Sequence, residues 1–214
     1  RDLSPKISKR YLIAGHSQGG HAALFAAGMA SKWTPDLKLR GTVAYAPASH
    51  MRLQAASLPI LTSPSSLSAL ASMIVKGATV VSSDVKPNEL LNDPVLALYP
   101  QTGTECLARL SQPDSLGGIA PSDLIRDGAD TDPFFDLLDQ QNPDVATSAP
   151  ILLAQGEADT TTFKFLTDIL NSELVDLGDN VDYQTYPGVD HGSILFAAEN
   201  EVSAFFEQRL PTGR

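Results

Sequence analysis

The stretch LIAGHSQGGHAALF, from Leu12 to Phe25, decides the fold. In it, an apolar run is followed by a glycine-rich turn with Ser17 at its apex and then by an alanine-rich segment. Apolar runs bounded by glycine are typical of buried strands, whereas alanine and leucine favour helix. The stretch therefore predicts a strand that enters a sharp turn and leaves it as a helix, with a serine hydroxyl at the junction.

Short apolar runs that end at glycine or proline recur along the chain and predict further buried strands. Together with the first strand, the predicted set is 9–14, 39–46, 150–155 and 181–186. Helical patterns lie at 20–31, 161–177 and 193–210. The predicted core residues are Phe165, Ile169, Leu170 and Leu174 in the second helix, and Leu195, Val202, Phe205 and Phe206 in the third. Strand alternating with helix predicts an α/β fold with a parallel sheet that is covered on both faces.

The segment 49–148 interrupts this alternation. It is dense in proline, serine, aspartate and glycine, and it contains a helical pattern at 67–81. A segment of this length needs structure of its own. We therefore predict an inserted, mostly helical cap over the strand ends, so that the α/β core comprises residues 1–48 and 149–214.

Charge and composition exclude several classes of function. A formal net charge of -10 argues against nucleic acid as a partner, because phosphate binding requires clustered lysine and arginine. No apolar run approaches the ~18 residues of a membrane-spanning helix, so stable membrane insertion is not expected. Cys106 is the single cysteine, which excludes an internal disulfide, and we expect it to be a small buried residue or to have a partner outside this chain.

The residues from Gly15 to Gly19 match the pattern G-x-S-x-G, which places a serine on a strained strand-to-helix turn. Glycine on both sides avoids the clashes that side chains would make in such a turn. The helix that begins after Ser17 would direct its free amides and its positive dipole end toward the reacting centre. The pattern therefore predicts that Ser17 is a catalytic nucleophile.

A serine nucleophile needs a general base, and this turn predicts the chain order serine, then acid, then histidine. His16 lies inside the turn and is expected to point away from the serine, and His21 lies on the next helix, packed or solvated. His50 follows the second strand, and we expect a surface role for it, with a substrate-facing role as the alternative. His191 follows the last strand, and catalytic groups gather at this edge of a parallel sheet. His191 is therefore the predicted base.

The loop that leaves the third strand, QGEADT, supplies the predicted acid. Asp159 is the expected partner of His191, and Glu157 is its nearest competitor. Asp190 cannot easily turn back onto the ring of the adjacent His191, so it is expected to form a turn. Aspartates within the insertion are expected to be loop and cap residues, and these include Asp130 and Asp132.

Four segments resemble the α/β-hydrolases and, within them, the secretory lipases of the lipase A type. The segments are GHSQGGHAALF, LKLRGTVAYAPAS, ILLAQGEADTTT and YPGVDHGS. They lie within 11–49 and 149–214, and the inserted segment stands where that family carries its lid. The resemblance implies an α/β-hydrolase fold and a secreted protein that takes part in lipid degradation, with a small-molecule ester or lipid as its substrate.

The resemblance also implies carboxylic ester hydrolysis without a metal or organic cofactor. Ser17 would attack the ester carbonyl to form an acyl-enzyme, His191 would carry its proton to the leaving alcohol, and Asp159 would hold the imidazole. The backbone N–H of Gln18 would stabilise the oxyanion.

The serine turn lies earlier in this chain than in that family, where further strands precede it. Sixteen residues stand before Ser17, too few for a strand–helix–strand unit, so the strand at 9–14 would present a bare edge. We expect that the sequence lacks the N-terminal part of a longer protein, or that a complementing chain supplies it, with a natural short form as the alternative. A second oxyanion donor has no candidate in this sequence.

Two other functions stay open at the level of sequence. A serine peptidase or acyltransferase could use the same three residues, although we identify no charged pocket for a peptide terminus. A catalytically silent interaction module with this fold is the second alternative, against which the presence of the complete triad argues.

Overall fold

Four parallel strands form the sheet that the alternating pattern predicts. The computed structural model describes residues 8–211. Its strands are β1 (Arg10–His16), β2 (Lys38–Tyr45), β3 (Ile151–Gly156) and β4 (Val181–Tyr186), paired in the order β1-β2-β3-β4. Every neighbouring pair is parallel, so the loops after all four strands emerge at the same edge of the sheet. The predicted α/β class is therefore confirmed.

Helices connect these strands and also form the insertion. They are α1 (Gln18–Trp33), α2 (Met51–Ala55), α3 (Ser66–Val81), α4 (Pro87–Leu90), α5 (Asp93–Leu98), α6 (Leu107–Leu110), α7 (Asp132–Asp139), α8 (Lys164–Asp176), α9 (Ile194–Ala197) and α10 (Glu199–Arg209). None of the helices between residues 8 and 211 has both the length and the apolar character that crossing a membrane requires.

The chain divides into two compact units. The sheet unit runs to Ser49 and resumes at Pro143, and the helical unit is His50–Asn142. The helical unit holds α2 to α7 and has its own apolar core, in which Val95 and Leu110 are fully buried. The second boundary thus falls a few residues before the expected one. The placement of the helical unit as a cap over the strand ends stays a prediction.

Cys106 lies in the helical unit, directly before α6, and it is exposed. The expectation of a buried cysteine is therefore wrong. Its position at the start of a four-residue helix leaves the side chain outside the apolar core of the unit.

The strands differ in burial more than their sequences suggest. All six residues of β3 are buried, whereas Arg10 and Ala14 of β1 are exposed and the other β1 residues are half-buried. The prediction that each strand is covered on both faces is therefore correct for β3 and wrong for β1. The reason is position: β3 lies inside the sheet, whereas β1 lies at one edge of the sheet in the described part of the chain.

Two helices place their side chains differently from the predicted faces. In α8, Leu166, Leu170 and Leu174 are buried, whereas Phe165 and Ile169 are exposed. The predicted last helix is divided at Ala198 into α9 and α10, because the backbone of this buried alanine leaves the helical region. In α9, Ile194 packs into the core and the predicted core residue Leu195 is exposed, while Val202 and Phe205 of α10 are buried as predicted.

Candidate active site

Ser17 occupies the single residue between β1 and α1, and its backbone is strained. Its φ of 57° and ψ of -120° lie where residues with a side chain rarely occur. Hydrogen bonds hold it there: the Ser17 N–H donates to the Tyr45 carbonyl (2.8 Å), and the Ser17 carbonyl accepts from the N–H groups of His21 (3.1 Å) and Ala48 (3.2 Å). Bonds to the end of β2 and to α1 thus keep the serine in this conformation.

Close backbone contacts explain two of the glycines around Ser17. A Cβ at Gly15 would collide with the carbonyl of Gly19, and a Cβ at Gly20 would lie 3.1 Å from both the Pro47 Cα and the Tyr45 carbonyl oxygen. At Gly19 itself, a Cβ would meet no described atom within 4 Å. The expected steric need for glycine on both sides of the serine is therefore correct for Gly15 and wrong for Gly19, and Gly20 supplies the second close approach.

Gln18 is the first residue of α1, so its backbone N–H has no acceptor within the helix. The amides of the first turn and the positive end of the helix dipole favour negative charge at this point. This is where a negatively charged oxygen next to Ser17 would be stabilised.

Asp159 and His191 come together at the carboxyl edge of the sheet, from the loops after β3 and β4. The His191 Nδ1–H donates to Asp159 Oδ2 over 2.7 Å. The carboxylate is completely buried, whereas 20% of the His191 side chain is exposed. This bond fixes the tautomer in which Nδ1 carries the proton, which leaves the Nε2 lone pair available to accept another.

The Asp159 carboxylate accepts several hydrogen bonds besides the one from His191. Oδ1 accepts from the backbone amides of Thr161 (2.8 Å) and Thr162 (2.9 Å), and Oδ2 accepts from the Thr162 hydroxyl (2.9 Å) and the Gln155 amide (3.2 Å). Burial would raise the pKa of Asp159, but the bonds from His191, Thr161 and Thr162 outweigh it and lower this pKa below its ordinary value. Asp159 is therefore held as a carboxylate.

Gln155 and Thr162 are two polar residues of this site that the sequence pattern does not identify. Gln155 is fully buried, and besides Asp159 its amide contacts the Gly156 and Thr162 carbonyls and the Thr167 hydroxyl. The Thr162 hydroxyl also lies 3.2 Å from His191 Nδ1. A glutamine at the end of an otherwise apolar strand was the available signal, because a buried amide requires polar partners.

The other acidic residues that could have been the partner of His191 form hydrogen bonds elsewhere. The Glu157 carboxylate accepts from the Thr185 hydroxyl (3.0 Å) and is exposed. Asp190 accepts from the Ser193 hydroxyl and from the amides of Ser193 (2.8 Å) and Gly192 (3.1 Å), which lowers its pKa and closes the turn before α9. Asp130 and Asp132 lie in the loop before α7 and in its first turn, as expected, and Asp130 Oδ1 accepts from the Asp132 amide.

The three histidines that are not predicted to be the base make contacts in different parts of the fold. The His21 ring packs edge-on against Phe25, with 4.9 Å between centroids. His50 begins the helical unit, where its backbone amide donates to Asn142 Oδ1 over 3.1 Å. His16 contacts His191 itself, with 4.6 Å between the ring centroids and 2.7 Å between His16 Nε2 and the His191 carbonyl oxygen. The turn that carries Ser17 therefore lies against the loop that carries His191.

Among residues 8–211, no group of three or more histidine, cysteine, aspartate or glutamate side chains is arranged to hold a metal ion.

Solved structures with a similar fold match nearly the whole of this chain. The rice cell wall degrading esterase LipA from Xanthomonas oryzae matches with a TM-score of 0.77 and 18% identity, over 100% of this chain and 61% of its own. Candida antarctica lipase A in its closed state matches with a TM-score of 0.73 and 16% identity, over 95% of this chain and 50% of its own. No protein-family model and no curated protein sequence matches the chain. These similarities confirm the α/β-hydrolase fold. The chain spans only 61% of the length of LipA and 50% of the length of the Candida lipase.

Proposed function

We propose that this chain carries the catalytic residues of a serine hydrolase that cleaves carboxylic esters. The observation that supports this most strongly is the 2.7 Å bond from His191 to the buried, ionised Asp159, next to a turn that holds Ser17 in a strained backbone conformation. The neighbouring folds belong to proteins described as an esterase and a lipase, which supports the same reaction class.

In the proposed acylation step, His191 Nε2 accepts the proton of the Ser17 hydroxyl, and the Ser17 oxygen bonds to the ester carbonyl carbon. The carbonyl oxygen becomes an oxyanion, which the Gln18 backbone N–H stabilises. When this intermediate collapses, the bond to the alkoxy oxygen breaks, and His191 returns the proton to the leaving alcohol. Asp159 holds the ring throughout and stabilises its charged form.

Deacylation repeats the sequence with water. His191 accepts a proton from the water, whose oxygen attacks the acyl carbon, and the acid leaves as the Ser17 oxygen recovers its proton. Each amide donor to such an oxyanion is worth about 10²–10³ in rate. We further propose an apolar acyl group on the substrate, because residues 49–148 are rich in leucine, alanine, isoleucine and valine and contain few basic residues. Secretion of the protein is proposed from the resemblance to the secretory lipases.

The test uses the purified full-length protein with p-nitrophenyl butyrate and p-nitrophenyl octanoate. We expect hydrolysis of these esters. Ser17→Ala should abolish this hydrolysis, because the proposed acyl-enzyme forms on the Ser17 oxygen. Ser31→Ala is the matched control, since Ser31 is an exposed residue at the far end of the same helix. Full activity of Ser17→Ala, or a folded wild-type protein that cleaves neither ester, would contradict the proposal.

Amide substrates and added alcohols distinguish the proposed esterase from a serine peptidase and from an acyltransferase. We expect p-nitroanilides to be cleaved far more slowly than the matching esters, and added short alcohols to divert only part of the acyl group. A faster reaction with the amide would favour a peptidase, and transfer that exceeds hydrolysis would favour an acyltransferase.

A further inference from the structure

His16 directly precedes Ser17 in the chain, and the proposed mechanism does not use it. It ends β1, whereas His191 lies after β4, so the two residues come from opposite edges of the described sheet. Nevertheless their rings lie 4.6 Å apart at a tilt of 44°. This contact links the Ser17 turn directly to the His191 loop.

The hydrogen bond defines which form of His16 is present. The His191 carbonyl oxygen can only accept, so His16 Nε2 carries the proton and donates it over 2.7 Å. Burial is the largest influence on His16 and lowers the pKa of its imidazole, which favours the neutral ring. A neutral ring beside His191 does not repel the positive charge that the proposed reaction places on His191.

Asp159 and His16 contact different parts of His191. Asp159 holds Nδ1 of the ring, whereas His16 holds the main-chain carbonyl and contacts the ring. A loop residue with a free main chain could still rotate about the Asp159 bond and move Nε2 away from the serine. Rates are sensitive to such movement, since a displacement of about 1 Å can cost on the order of 10²-fold.

We infer that His16 is a positioning residue for the proposed ester hydrolysis, and that its N–H bond to the His191 carbonyl keeps the base in register with Ser17. The inference rests on the proposed function. It assigns His16 no contact with the substrate and no proton transfer of its own.

Two variants separate the hydrogen bond from the ring. His16→Gln keeps an N–H donor at similar reach and removes the ring, whereas His16→Phe keeps a ring and removes the donor. We expect kcat per active site to fall about 10- to 100-fold in His16→Phe. We expect KM to be nearly unchanged in both variants, and kcat of His16→Gln to stay within a few-fold of wild type.

Active sites are counted by complete reaction with a fluorophosphonate, so misfolded protein does not enter kcat. His21→Gln is the matched control, because His21 packs on Phe25 and should tolerate the change. Normal kcat in His16→Phe would overturn the inference, as would an equal loss in His16→Gln or a loss that appears in KM. Inactivity of the wild-type protein on esters would instead overturn the proposed function, so the two failures are distinguishable.

Discussion

The loops after β3 and β4, residues 157–163 and 187–193, each carry an aspartate near His191, but the two carboxylates have opposite surroundings. Asp190 is adjacent to His191 in the chain, is exposed, and accepts hydrogen bonds from its own turn. Asp159 is 32 residues away, is completely buried, and receives the His191 ring. Distance along the chain therefore does not indicate which acid can act on the histidine.

The difference lies in the donors that each loop provides. The β3 loop folds two backbone amides and a hydroxyl onto Asp159, and Gln155 adds a side-chain amide from the strand itself. A buried charge is tolerated when it is paired and hydrogen-bonded to this extent. The β4 loop uses the carboxylate of Asp190 at the start of α9, so this acid shapes the loop and leaves the ring of His191 to Asp159.

The largest effect should come from Asp159→Asn. The amide no longer stabilises a charged His191 and favours the wrong tautomer, so kcat/KM for p-nitrophenyl butyrate should fall by about 10⁴. Asp190→Asn is the matched substitution in the other loop and should change kcat/KM only a few-fold. Similar losses in the two variants would remove the distinction between the loops.

A smaller effect should come from removal of the Thr162 hydroxyl in the β3 loop. Thr162→Val preserves the shape of the side chain but removes the donor to Asp159 and to the Ala46 carbonyl. We expect the free energy of unfolding to fall by about 1–3 kcal/mol and kcat to fall on the order of 10-fold. Ser193→Ala removes the corresponding hydroxyl beside Asp190, and stability should hardly change. Urea titration and kinetics measure both, and equal destabilisation would contradict the contrast between the loops.

Acid stability should also distinguish the two aspartates. The folded pKa of Asp159 lies below the unfolded value of about 4. Asp159 therefore stabilises the fold above pH ~4, and this contribution is lost as the pH falls through the lower folded pKa. Urea titrations between pH 3 and 7 should show a weaker pH dependence in Asp159→Asn than in wild type. Asp190→Asn should change the pH dependence of stability less, because water screens an exposed carboxylate. A stronger change in Asp190→Asn would contradict the burial argument.

The smallest effect should come from Glu157→Gln in the β3 loop. Its carboxylate contacts Thr185 and is exposed, so we expect kcat/KM to stay within about two-fold, in line with surface substitutions in general. A loss comparable to that of Asp159→Asn would show that the wrong acid of this loop has been assigned.

The sequence predicts the parts of this site that local patterns encode. A buried strand such as β3 needs an apolar run, and a strained serine turn needs a glycine at position 15, so both can be recognised from the order of residues alone. The parallel order of the strands then gathers their loops at one edge, which favours His191 and the loop after β3, although strand order alone does not distinguish Asp159 from Glu157 within that loop. The helical content of residues 50–142 also follows from length and composition, although the bounds of its helices do not.

Contacts between distant segments could not be predicted in this way. The ring of His16, at the end of β1, meets His191, which follows β4, and no single sequence pattern contains both segments. The buried faces of α8 and α9 shift by one residue for a related reason, since packing against the sheet and the break at Ala198 decide which side chains point inward. Periodicity alone could not choose Ile194 over Leu195.

The most direct test of the central claim is to locate a fluorophosphonate label by peptide mass spectrometry and to measure its rate of attachment. We predict a single label on Ser17, attached rapidly in wild type and in Asp190→Asn, and far more slowly in Asp159→Asn. A label on another residue, or an unchanged labelling rate in Asp159→Asn, would contradict the claim that the buried Asp159–His191 pair activates Ser17.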